Sequence, residues 1–302
     1  MTANKANKKY KDSVFTKLCE DKRRLIEIYN AVSKKNYPLD TEIEIATLDD
    51  VLFLDRRNDV AFAIEDRVVV LMEHQSTPCE NMPARFLIYI GRVYEKLFSV
   101  DPKLRQAIYR TTLMKMPKPE FYVLYNGRSE FPERKELRLS DAFRETDSSE
   151  WLGGFMELTV PVYNINEGFN EEIARRSETL SGYAAFIASV RRHSGSGREL
   201  EEAIGQAVKD CVEKGILAEF LQRHASEVIN MLTAEFRLEE AVKVWKEEGI
   251  EEGIAKGIEK GIEKGVTKGK SEVARSMLAE GFSPEAIRKY TGLDEEVILS
   301  LK

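Results

Sequence analysis

The chain has 302 residues, 42% of them hydrophobic and 32% charged, which fits one large domain or two smaller ones with a buried core. Cys19, Cys79 and Cys211 are scattered without CxxC spacing, and no apolar run approaches the roughly 18 residues of a membrane span, so a disulfide framework, a cysteine zinc site and a membrane protein are not expected; a reducing, cytoplasmic setting fits. The net charge of -6 at pH 7 weakly opposes a nucleic-acid surface over the whole protein, yet it leaves room for a local basic groove.

Residues 1–9 are small, polar and lysine-rich, with no apolar segment of the kind a signal peptide needs. Phe15, Leu18, Leu25, Ile28, Tyr29 and Val32 then recur at helical spacing and predict a first helix over about 11–33. Alternation from Thr41 to Phe53 predicts a strand, and a hairpin follows over 58–75. Asn81-Met82-Pro83 marks a helix start, with Asn81 as cap and Pro83 in the first turn, and that helix runs to about Phe98. Phe121–Tyr125 is a short apolar strand closed by Asn126-Gly127, and Leu158–Tyr163 is another, closed by Asn164-Ile165-Asn166. The order helix, strand, strand, strand, helix, strand predicts a mixed α/β sheet with helices on both faces.

From about 170 to 245 the pattern is helical, with Leu180, Tyr183, Phe186, Ile187 and Val190 on one face and a break at Ser194-Gly195-Ser196-Gly197. The expected organisation is a core over 10–168, a helical region packed on it over 169–246, a repeat over 247–270 and a small helical module over 271–302. In the repeat, glycine recurs every four residues from Gly249 to Gly269, mostly followed by Ile or Val. Each glycine costs a helix about 1 kcal/mol relative to alanine. Two readings stay open: an extended linker, or a helix whose Gly/Ile stripe packs on a partner, a homo-oligomer such as a dimer included. In the last module Ser283-Pro284-Glu285 starts a helix and Thr291-Gly292-Leu293 turns into the final segment, a miniature of a helix-turn-helix.

The hairpin carries the chemistry. Asp59 opens its first strand and Glu73-His74-Gln75 closes its second, on an otherwise apolar ribbon. Buried carboxylates are costly unless they are paired or bind a metal. Glu73 and Gln75 share a face by their spacing. A two-residue turn at Glu65-Asp66 would put Asp59 on the other face. A three-residue loop, Glu65-Asp66-Arg67, opposes Asp59 to Glu73 and puts Asp59, Ala61, Ala63, Val69, Leu71, Glu73 and Gln75 on one face. It turns His74 away as a core histidine. Two carboxylates so placed suit Mg²⁺, or Mn²⁺ in its stead, with positions left for water and a phosphate oxygen. The bland alternative makes Asp59 a strand-edge residue and Glu73 an ordinary acid at a strand end. Arg85, Tyr89 and Arg92, at i, i+4 and i+7, share a helix face that would reach phosphates or form a solvated basic edge.

Asn58-Asp59-Val60-Ala61-Phe62, Glu73-His74-Gln75-Ser76-Thr77, Asn81-Met82-Pro83-Ala84-Arg85-Phe86 and Tyr89-Ile90-Gly91-Arg92-Val93-Tyr94-Glu95-Lys96 together resemble the recombination-promoting nuclease / putative transposase family of the PD-(D/E)XK nuclease superfamily. Tyr125-Asn126-Gly127, Tyr163-Asn164-Ile165-Asn166 and the glycine-every-four tail extend the resemblance over nearly the whole chain. It implies a restriction-endonuclease-like α/β core followed by a helical C-terminal region. It also implies a metal held by Asp59 and Glu73, catalysis by Asp59, Glu73 and Gln75, and DNA as substrate. Gln75 stands where the wider superfamily has lysine, as it does in this family, and glutamine orients water without bringing charge. Asp12 is the candidate for an additional acid, against a plain helix-terminus role favoured by the dipole. The expectation is a Mg²⁺-dependent DNA endonuclease that promotes recombination. Its rivals are a catalytically weak DNA-binding or self-associating protein on a nuclease scaffold, and a nuclease acting on RNA.

Overall fold

A computed structural model describes residues 13–46, 59–65, 68–144 and 156–301. The chain separates into two compact units, Met1–Glu235 and Phe236–Lys302. The first holds a six-stranded mixed sheet flanked by helices, so the expected α/β class is observed.

Helix α1 (Val14–Cys19) is capped by Ser13, whose side chain accepts from Thr16 N–H, and α2 (Lys22–Ser33) by Asp21, which accepts from Arg23 N–H. The single helix expected over 11–33 is therefore two. Asp21 satisfies an orphan backbone donor at a new helix start, and the apolar spacing that runs through both helices hides that break. Strand β1 (Ile43–Ala46) is shorter than the 41–53 alternation predicts, and residues 47–58 lie outside the described residues. Strands β2 (Asp59–Ile64) and β3 (Val68–Gln75) form the hairpin. Ile64 pairs with Val68, so three residues, 65–67, join the strands, and Asp59 is the partner of Glu73. The three-residue register is the one found.

Helix α3 (Met82–Val100) begins with Asn81 at the N-cap position and Pro83 in the first turn, but the Asn81 side chain makes no capping bond. A short α4 (Pro102–Ala107), capped by Asp101, leads to β4 (Lys118–Tyr125), which runs parallel to β3. Strand β5 (Arg134–Arg138) precedes β6 (Thr159–Asn164), and the sheet order is β1-β2-β3-β4-β6-β5. The crossovers that make β3, β4 and β6 mutually parallel bring their carboxyl ends to one edge: Gln75 pairs with Tyr125, and Tyr125 with Asn164. In open α/β sheets that edge is where ligands bind.

One face of the hairpin carries Ala61 and Leu71 against Met82, Phe86, Tyr89, Ile90 and Val93 of α3. The other carries Phe62 against Tyr29 and His74 against Phe15 and Tyr183. Glu120 ties this second face to α2, accepting from Tyr29 OH at 2.8 Å, Lys35 Nζ at 2.8 Å and Tyr122 OH at 3.0 Å. Helices α5 (Glu171–Arg176), α6 (Glu178–Ser194) and α7 (Leu200–Glu213) follow, and the five apolar residues singled out on α6 are all buried. Helix α8 (Ala218–Ala279) is kinked at His224 and continues as helix through the glycine repeat.

In the second unit, α9 (Pro284–Thr291) starts at Ser283, which accepts from Ala286 N–H, and ends at Gly292 in the left-handed region (φ 66°). With α10 (Glu295–Ser300) it packs Ile287, Leu293 and Ile298 around Ala274. Among the described residues no helix is long and apolar enough to cross a membrane.

Candidate functional site

Glu73 and Gln75 lie near the carboxyl end of β3, on the face that α3 covers, and are only 4% and 8% exposed. Such burial demands partners for the carboxylate. Arg85 Nη1 reaches in from α3 to 2.9 Å from Glu73 Oε1. Gln75 Nε2 donates to the same oxygen at 2.8 Å and also lies against Met82 Sδ. The arginine is aimed from behind: its Nε and Nη2 donate to Tyr89 OH at 3.2 and 3.0 Å. Glu73 Oε2 is different. It is buried and accepts no hydrogen bond from the described residues.

The structure therefore brings Glu73, Gln75, Arg85 and Tyr89 together. Asp59 stands opposite Glu73 in the backbone register, and opposed positions of an antiparallel pair share a face. The Asp59 side chain, and Asp12 altogether, lie outside what the structure describes. Of the three residues placed on a phosphate-facing edge, Arg85 turns inward onto Glu73, and Tyr89 is buried behind it. Arg92, two turns further along α3, is half-buried, and none of the described bonds to Glu73 or Gln75 comes from it. Among the described residues no group of three or more His, Cys, Asp or Glu is arranged to hold a metal.

His74 points to the opposite face. It is stacked on Phe15 with ring centroids 5.0 Å apart, and its Nε2 lies 3.1 Å from Tyr183 OH. Burial, with a smaller contribution from the Arg191 charge, lowers its pKa to about 3, so it is a neutral core residue at physiological pH.

The strand ends around the site are stitched together. Asn126 N–H donates to Gln75 C=O at 2.8 Å, and Ile165 N–H to Tyr125 C=O at 2.8 Å. Arg191 of α6 donates to Asn126 C=O at 2.8 Å, to Asn126 Oδ1 at 3.0 Å and to Asn166 Oδ1 at 2.7 Å. Gly127 passes so close to the Ser76 carbonyl and the Tyr125 ring that a Cβ there would overlap both. Asn126-Gly127 and Asn164-Ile165-Asn166, which the sequence marks only as strand-closing turns, are the segments that carry this stitching. Arg191 is not marked by the sequence pattern; its only local signal is that of a basic residue in the last turn of a helix.

Comparison with known proteins finds no matching family model, no matching curated protein and no matching solved structure.

Proposed function

We propose that the chain is a Mg²⁺-dependent DNA endonuclease of the PD-(D/E)XK type whose cleavage promotes recombination. The observation that carries this reading is the pairing of Asp59 with Glu73, on a strand that also presents Gln75, at the shared carboxyl edge of three parallel strands. The residue resemblance supplies the reaction class.

The donor chemistry suits a hard cation. A buried carboxylate oxygen with no hydrogen-bond partner is costly, and among the described residues Glu73 Oε2 has none; an oxygen-preferring ion would satisfy it. Glu73 and Asp59 are the residues to hold Mg²⁺, with Mn²⁺ as a substitute. The bound ion supplies an activated water and neutralises charge on the phosphoryl oxygens. Gln75, held against Glu73, orients by hydrogen bonds and brings no charge. Arg85 brings a positive charge to the same carboxylate from the helix, its forked donors being divided between Glu73 and Tyr89.

The Arg85–Glu73 pair also favours one rival, a DNA-binding protein on a nuclease scaffold with little activity, because the guanidinium already balances the carboxylate. Nicking of supercoiled plasmid by wild type and by Asp59→Ala, in Mg²⁺ and in EDTA, separates the two. The endonuclease reading expects cleavage by wild type in Mg²⁺ alone. Equal cleavage by both proteins removes the assigned site, and retarded but uncut DNA selects the scaffold reading.

A further inference from the structure

The two oxygens of Glu73 are treated differently by their surroundings. Oε1 is held twice, by Arg85 Nη1 at 2.9 Å and by Gln75 Nε2 at 2.8 Å. Oε2 accepts no hydrogen bond from the described residues. The guanidinium, in turn, does not depend on Glu73 alone to stay in place. Its Nε and Nη2 donate to Tyr89 OH at 3.2 and 3.0 Å, and Nη1 also lies 3.5 Å from Met82 Sδ.

A cation on Oε2 would stand across a single carboxylate group from this positive charge. The Arg85 and Glu73 side chains are only 18% and 5% exposed. Charges so far withdrawn from water are screened much less than charges on an open surface. The same carboxylate would then serve a guanidinium and a dication, and each weakens the hold of the other. The effect is reciprocal: whatever affinity Arg85 takes from the ion, the ion takes from the Arg85–Glu73 pair.

We propose that Arg85 is a competing counter-charge that sets the Mg²⁺ concentration at which the site loads. Loading at Glu73 and release of Arg85 Nη1 from Oε1 are two sides of one equilibrium. This rests on the reading of Asp59 and Glu73 as metal ligands. Below that concentration Arg85 keeps the buried carboxylate paired. Above it Glu73 passes to the ion, and Arg85 stays with Tyr89 beside the loaded site.

The test is a Mg²⁺ titration of thermal unfolding at constant ionic strength on the full chain, with no DNA and no cleavage involved. An ion bound only by the folded protein raises its stability with the logarithm of concentration over Kd, so the titration yields an apparent Kd. Arg85→Gln removes the charge but keeps a donor, and it is expected to bind Mg²⁺ about 10-fold tighter than wild type or better. Its stability deficit in EDTA then narrows as Mg²⁺ rises. Arg85→Lys keeps the charge and is expected within about 3-fold of wild type. Glu73→Gln is expected to lose the response. Should Arg85→Gln unfold in EDTA, the same titration follows its refolding, and a chain still unfolded at about 30 mM Mg²⁺ overturns the proposal. Equal or weaker binding by Arg85→Gln, or binding by Arg85→Lys as tight as by Arg85→Gln, overturns the proposal and leaves the metal reading standing. No response from either wild type or Arg85→Gln removes the metal reading, and the proposal with it.

Discussion

Arg85 and Glu73 form an ion pair at 2.9 Å in which both side chains are mostly withdrawn from water. Taking one partner from such a pair strands the other charge in a poorly solvated place, and that loss exceeds what the intact pair contributes. Arg85→Met is therefore expected to lower the unfolding free energy by about 3 kcal/mol. Arg85→Met/Glu73→Gln should recover a large part of the loss. Urea unfolding of the four proteins in the cycle measures the coupling, and purely additive effects would show the pair to be energetically idle.

Catalysis gives a second expectation. Asp59→Ala and Glu73→Gln should each reduce Mg²⁺-dependent plasmid nicking by more than about 100-fold, the scale set by losing several kcal/mol of metal-based charge stabilisation. Gln75→Ala should cost less, on the order of 10-fold, because it removes an orienting hydrogen bond and no charge. Initial rates over a Mg²⁺ titration distinguish weakened metal binding from a slowed chemical step.

The pH dependence of stability should carry the signature of His74. Burial holds its folded pKa at about 3, well below the ordinary histidine value, so the unfolded chain binds the extra proton first. This contribution is complete above about pH 6.5 and is lost as pH falls from there towards 3, at no more than about 1.4 kcal/mol per unit. Urea midpoints at pH 7.5, 6.0 and 5.0 should fall in that order, with a flatter profile for His74→Phe. An unchanged slope in that variant would remove His74 as the source.

Gly127→Ala tests the seam between β3 and β4. A methyl group there overlaps the Ser76 carbonyl and the Tyr125 ring, and backbone on one side leaves little room to yield. Overpacking of this kind costs about 1–3 kcal/mol. Thermal unfolding reads the loss, and plasmid nicking should fall with it because Gln75 ends the displaced strand.

Much of the hairpin is legible in the sequence. The alternation of Val60, Phe62 and Ile64 with Ala61 and Ala63 separates the two faces of β2, though not which helix covers each. Val68–Met72 is apolar throughout and selects no register; only the requirement that Asp59 and Glu73 share a face points to a three-residue loop, or to a bulge that gives the same result, and the three-residue register is the one found. Strand β5 was not legible. Arg134-Lys135-Glu136-Leu137-Arg138 has almost no apolar alternation, and as an edge strand it needs only one buried contact, made by Leu137. The inward turn of Arg85 was hidden for a related reason. Helical spacing gives the face on which a residue lies, but not which of several acids within reach a long side chain will select. The arginine links from Arg191 to Asn126 and Asn166 join residues 25 to 65 positions apart, and no local pattern encodes them.

The stitched carboxyl edge has a consequence for how the protein opens. Gln75 sits on β3, an interior strand, and its carbonyl is tied to the Asn126 amide while Tyr125 is tied to Ile165. Amides in such a position exchange with solvent only when the sheet itself comes apart. The Asn126 and Ile165 amides should therefore persist longest in deuterated water. Glu73 and Gln75 are then carried by the most slowly opening part of the unit, with their geometry guarded by the global unfolding barrier rather than by a local loop.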